Sequence, residues 1–203
     1  MTRVEVDTPH GPARAEVHCA DEGRAALLLG HGAGGGVDAP DLVALTRAAT
    51  REGVHVALVE QPYRVAGRRA PAPAKQLDAA WLAVADQLEQ RWFSDLPLLF
   101  GGRSSGARVA CRTAEAGAAA AVLCLAFPLH PPKNPERSRL DELAGVDVPV
   151  LVVQGERDAF GQPEPAHGRE VVLVPGDHSL AKDVDAVSRA CGEWLGRVLR
   201  LVT

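Results

Sequence analysis

Polar and apolar residues alternate regularly only at the start of the chain. "RVEV" (3–6) and "ARAEVHC" (13–19) put an apolar side chain at every second position, the period of a strand with one covered face, and the "TPHGP" between them has turn chemistry. They predict an antiparallel pair. Beyond it the texture changes to unbroken apolar runs: "AALLLG" (25–30), "VHVALVE" (54–60), "LPLLFGG" (96–102), "AAAVLCLAF" (119–127), "VPVLVVQG" (148–155) and "REVVLVPG" (169–176). Short all-apolar runs bounded by glycine or proline suit strands covered on both faces, as in a parallel sheet.

Helical periodicity fills the gaps. It predicts helices over 39–52, with Asp41 in the first turn, over 74–90, where Leu77, Trp81, Val84 and Leu88 form one stripe, and over 105–116, 135–143 and 181–201. Strand and helix alternate through five or six units, with no internal repeat and no linker. The pattern therefore predicts one domain over 1–203, a doubly wound, mostly parallel α/β sandwich with an antiparallel first edge. "EQPYRVAGRRAPAPAK" (60–75) is a long connection after a strand, and such loops tend to be functional or disordered.

Composition narrows the partners. The chain has 203 residues, 46% hydrophobic and 24% charged, with a net charge of −4 and no long like-charge run. This gives no reason to expect nucleic acid or an anionic membrane. No N-terminal apolar core resembles a signal peptide, and no run approaches the roughly eighteen apolar residues of a membrane span. Cys19, Cys111, Cys124 and Cys191 are scattered, which suits reduced thiols better than a disulfide framework or a zinc site. Cys111, two turns into its helix, reads as core. The expectation is a cytoplasmic protein without metal or cofactor, acting on a small-molecule substrate. An exposed edge strand could pair two copies as a homodimer.

In a parallel α/β sheet the strand-to-helix loops gather at one edge, where ligands bind. One of them is "GGRSSG" (101–106), which contains the G-x-S-x-G of a nucleophile elbow. That turn is tight enough to require small flanking residues, and chance yields only about 0.06 such matches in a chain of this composition. The alternative is a glycine-rich surface turn. Ser104 is the candidate nucleophile, and Ser105, at a helix start, can lend its backbone N–H to a developing anion. "LLLGHGAGGG" (27–36) lacks the lysine of a phosphate loop, so it reads instead as an oxyanion loop. There the N–H of Ala33 points at substrate and His31 pins the backbone. Asp158 and His178 follow the next strands, giving the order Ser104, Asp158, His178, one of three common orders of the Ser-His-Asp triad.

Here the chain resembles the α/β-hydrolase superfamily along nearly its whole length. "HGAGG", "PYRVAGRRAP", "GGRSSGARVA", "FPLHPPKNPERSRLDEL", "VLVVQGERDAFG" and "DHSL" are similar to a small, lidless branch of predicted hydrolases, testis-expressed-protein-like and distantly akin to dienelactone hydrolases. Two departures stand out. Dienelactone hydrolases use a cysteine nucleophile where this chain has serine. The stretch from Asp158 to His178 is also short, leaving "QPEPAHG" (162–168) for an intervening helix and keeping Glu156 open as the acid. The resemblance implies a serine hydrolase with an α/β-hydrolase fold and no lid, acting on a small soluble ester, lactone or thioester. Acyl transfer would differ only in the nucleophile that reaches the acyl-enzyme, and a non-catalytic scaffold of the same fold is the competing class.

Several residues have two readings each. Arg64, Arg68 and Arg69 could clamp a substrate carboxylate or form a solvated basic loop. His130 could line the pocket or pack. Tyr63 and Phe160 are candidate pocket walls, and Arg103 could touch substrate or pair with a nearby carboxylate.

Overall fold

The computed structural model describes residues 1–202. Eight strands form one sheet in the order β1-β2-β4-β3-β5-β6-β7-β8. They are β1 (Thr2–Val6), β2 (Ala13–His18), β3 (Ala25–Gly30), β4 (Val54–Glu60), β5 (Leu98–Arg103), β6 (Ala121–Leu125), β7 (Val150–Gly155) and β8 (Arg169–Val174). β1 pairs antiparallel with β2, and β2 antiparallel with β4, while β3 to β8 all run parallel. The alternating opening and the apolar runs thus became the antiparallel edge and the parallel body of an α/β-hydrolase fold.

The helices are α1 (Pro40–Arg51), α2 (Pro62–Val65), α3 (Ala74–Trp92), α4 (Ser105–Thr113), α5 (Leu140–Ala144) and α6 (Val184–Val202). Because successive strand residues point to opposite faces, each central strand feeds two cores. Leu27, Leu29, Val56, Leu99, Leu123 and Val153 pack with α1 and α6. Leu28, Ala57, Phe100, Val122 and Val152 pack with α3 and α4. The stripe Leu77, Trp81, Val84 and Leu88 is buried in this second core, where Trp81 meets Phe100 edge to face at 5.5 Å. Offset or edge-on contact is the favourable geometry for two aromatic quadrupoles.

Three expectations shift. β8 lies at the sheet edge with one neighbour, so it is only half covered and Leu173 stays 49% exposed. α5 begins at Leu140, later than predicted, because the prolines before it hold residues 131–138 in turns. No helix forms between Asp158 and β8 among the described residues; Pro163 and Pro165 leave an extended segment there. The 60–75 connection opens with the short helix α2 and continues through turns and an irregular stretch to α3. All four cysteines are free, and Cys111 is buried in the second core. No helix among the described residues is long and apolar enough to cross a membrane.

Candidate active site

The C-terminal ends of β3, β5, β7 and β8 converge on Ser104. This residue sits between β5 and α4 with φ +52° and ψ −108°, a conformation L side chains rarely adopt and one that costs about 1–3 kcal/mol. The strain lifts Oγ clear of the sheet, and the Ser104 N–H is held by the Leu125 carbonyl at 2.9 Å. Flanking glycines are required here. A Cβ on Gly102 would stand 2.6 Å from the Gly30 carbonyl oxygen, and one on Gly106 would overlap the same backbone. Ser104 occupies the N-cap position of α4 without using its side chain as a cap, so its hydroxyl is spared for other contacts.

Those contacts run to His178. Nε2 of His178 lies 2.9 Å from Ser104 Oγ, and Nδ1 lies 2.8 Å from Oδ2 of Asp158. The Asp158 side chain is fully shielded from solvent. Its Oδ1 accepts the Phe160 N–H at 2.8 Å, and its Oδ2 accepts a Gln154 N–H at 2.8 Å. Nε2 of Gln154, itself buried, also lies 3.1 Å from the Phe127 carbonyl and 2.8 Å from the Gly161 carbonyl, its two N–H groups shared among three acceptors, which ties the loop after β7 to the end of β6. Glu156 is exposed, and the imidazole reaches Asp158 instead.

The loop after β3 is organised from beneath by His31. Its Nε2 accepts the Gln61 N–H at 3.1 Å; a backbone N–H can only donate, so Nδ1 carries the proton and gives it to the Gly32 carbonyl at 2.8 Å. The Gly32 carbonyl also accepts the Gly35 N–H. Since the peptide is trans, fixing that carbonyl turns the Ala33 N–H the opposite way. Burial holds the His31 pKa below its ordinary value, so the ring stays neutral and able to accept. Tyr63 lies behind this loop, donating its hydroxyl to the Ala33 carbonyl at 2.9 Å.

The other sequence candidates are dispersed. Phe160 stacks on His178 with ring centres 4.1 Å apart. His130 packs beside Gly161 in the loop after β7, its backbone N–H on the Phe160 carbonyl and its Nδ1 2.9 Å from the Pro131 carbonyl. Arg64 is half-buried in a groove with Arg3, Arg14 and Glu60, while the exposed Arg68 lines another with His10 and Gln76. Neither groove includes Ser104, Asp158 or His178. Arg69 is exposed. The loop folds back because the Arg68 N–H bonds the Tyr63 carbonyl. Among the described residues no cluster of three His, Cys, Asp or Glu could hold a metal.

Sequence reasoning passed over two supports. Gln154 is one polar residue at the end of an apolar strand, four positions before Asp158, a signal that could have been read. Asp41 was placed on its helix, yet its full burial against Arg103 could not be read from local pattern; Arg103 Nε donates to its Oδ2 at 2.8 Å.

The arrangement is that of α/β-hydrolase folds with a serine at the elbow. Solved structures similar to this chain include Est1E from Butyrivibrio proteoclasticus, at 16% identity over 98% of this chain and 100% of that one, with a TM-score of 0.80. XC6422 from Xanthomonas campestris, described as a serine hydrolase without a lid, is 20% identical over 97% and 94% of the chains, TM-score 0.77. A dienelactone hydrolase from Anabaena variabilis is 17% identical over 97% and 96%, TM-score 0.75. No curated protein matches the sequence. The model of the alpha/beta hydrolase domain family matches residues 23–187, and the chain belongs to that family.

Proposed function

We propose that the protein is a serine hydrolase of small soluble carboxylic esters, lactones or thioesters. The observation that carries this reading is the single imidazole of His178 bridging Ser104 Oγ and the buried Asp158. His178 Nε2 takes the proton as Oγ attacks the substrate carbonyl carbon. Asp158 fixes the tautomer and offsets the imidazolium charge. The carbonyl oxygen, now anionic, is received by the N–H groups of Ala33 and Ser105. Collapse of the intermediate breaks the bond to the alcohol oxygen or thiol sulfur, which takes the proton from His178 and departs; from a lactone that hydroxyl stays tethered to the acyl group. Water, deprotonated by the same imidazole, then releases the acid and restores Ser104.

Substrate size follows from what covers the site. Residues 126–149, between β6 and β7, contain one helix of five residues and no lid. An open site of this kind suits compact, soluble substrates over long lipids, which need a covered apolar channel.

A fluorophosphonate probe tests the reading. Wild-type protein should be labelled at Ser104; Ser104→Ala should abolish labelling, and His178→Ala should slow it by about 10³-fold or more. Folded wild-type protein that stays unlabelled at neutral pH would overturn the assignment.

A further inference from the structure

Arg103 precedes the nucleophile, and its guanidinium touches three separate parts of the site. Nε donates to Oδ2 of Asp41 at 2.8 Å, and Nη2 donates to the backbone carbonyl of His178 at 2.9 Å. The third nitrogen, Nη1, lies under the oxyanion loop: a Cβ on Gly32 would stand 3.0 Å from it and 3.7 Å from Ser104 Cβ. Asp41 is fully buried at the start of α1, and its Oδ1 accepts the Leu42 N–H, so this carboxylate is an immobile anchor.

From this geometry we infer that Arg103, braced on Asp41, is a positioning residue that sets the base loop and the oxyanion loop against Ser104. The inference rests on the proposed serine-hydrolase reading and adds a residue to it. The reason is the planarity of the guanidinium. Its donors keep fixed mutual directions, so anchoring Nε on Asp41 also fixes where Nη2 points. The carbonyl of residue 178 is thereby held at a set offset from residue 103, and residue 103 is covalently joined to the strained elbow. The imidazole hangs from that same residue, 2.9 Å from Oγ. His178 belongs to a loop after the edge strand β8; the Arg157 N–H on the Gly176 carbonyl and the buried Leu180 hold that loop, and the Arg103 bond reaches the backbone of residue 178 itself. The Asp41 side chain is fully shielded and that of Arg103 18% exposed, and a charge pair so placed has a desolvation cost that its mutual hydrogen bond must offset. Burial pushes the Asp41 carboxyl above its ordinary pKa while the Arg103 charge opposes that rise, so the anchor depends on its partner.

The test uses the whole protein with Arg103→Lys, which keeps the charge but offers one nitrogen where the fork spans two acceptors. A displacement of the base by about 1 Å costs on the order of 10²-fold in rate. The expected result is kcat on p-nitrophenyl acetate, and the fluorophosphonate labelling rate, lowered about 10- to 100-fold per folded molecule. KM should stay within about twofold. If Arg103→Lys does not fold, the pair Asp41→Asn with Arg103→Gln, which strands no buried charge, carries the same expectation. Wild-type kcat per folded molecule in either variant would overturn the inference. It would leave the hydrolase reading standing as long as wild-type Ser104 is labelled, whereas an unlabelled wild type sinks that reading itself.

Discussion

The two edges of the parallel sheet are unlike in the polar groups they bury. At the N-terminal edge a cavity of about 660 Å³ opens among Cys19, Asp21, Glu22, Arg24 and Glu52, the largest of the concavities described, and its charged side chains face solvent. At the C-terminal edge the concavities are smaller, but His31, Asp41, Gln61, Gln154 and Asp158 are buried there. Two further buried polar residues, Thr46 and Thr113, simply return their hydroxyls to carbonyls of their own helices. Burying a polar group is costly unless its partners are in place, so a concentration of such groups marks where the fold retains expensive order. Volume picks one edge and chemistry the other. Chemistry decides, because a strained serine, a bridging imidazole and a shielded carboxylate coincide only at the C-terminal edge.

The comparison breaks most sharply at Asp158. Asp158→Asn keeps the shape but no longer favours the tautomer with a proton on Nδ1, and the expected loss is about 10⁴-fold in kcat. Glu156→Gln, two residues away and exposed, should leave kcat within about twofold of wild type, as surface charges rarely matter. Steady-state kinetics on p-nitrophenyl acetate checks both. Equal losses would mean that burial at this edge does not single out the orienting acid.

A finer division lies within His31, whose two nitrogens serve different segments. Asn at this position can still donate to the Gly32 carbonyl, whereas Gln can still accept from the Gln61 N–H but no longer reaches Gly32 in the same way. If the Gly32 bond orients the Ala33 N–H, His31→Gln should lose about 10²-fold in kcat, the scale of one oxyanion donor. His31→Asn should lose much less. Comparable kcat values in the two variants would mean that the ring supports the loop only by packing.

How much of this was readable in the chain follows from where each contact is encoded. The sheet and its two cores were legible because unbroken apolar runs such as Leu27–Leu29 and Val150–Val153 leave few other options, and Gly102 and Gly106 announce the tight elbow locally. The candidate triad residues could be nominated because each lies within four residues of the end of a strand. Their convergence could not, since hydrogen bonds from residue 104 to 178 and from 178 to 158 depend on the whole sheet twist and register. Arg103 with Asp41 illustrates the limit. Each is unremarkable in its own segment, and only the packing of α1 against the elbow makes the pair. The arginines at 64, 68 and 69 are a conspicuous local cluster, yet local pattern does not say where the turn of α2 places them: Arg64 and Arg68 line two different grooves, and Arg69 is exposed.

The smallest expected effect is on stability against pH, and the buried groups of this edge push it in opposite directions. His31 has a pKa lowered chiefly by burial, so the unfolded chain takes up a proton, near pH 6.5, before the folded one does. Protons bound in the unfolded state then exceed those in the folded state. Stability contributed by the neutral ring is therefore present above that pH and lost as acid is added, down to the folded pKa. Asp41, raised by burial, works in the reverse sense: the folded state holds its proton more tightly, so stability falls as pH rises from the ordinary carboxylate range toward the folded value. His18, also lowered chiefly by burial, adds to the His31 trend in any variant that retains it. Melting temperatures taken between about pH 7 and pH 5 should thus fall less in His31→Asn than in wild type, because one proton-linked loss has been removed. Parallel curves for the two proteins would show that the ring is not held neutral by burial, and the contrast between the two sheet edges would then rest on Asp41, Gln61, Gln154 and Asp158.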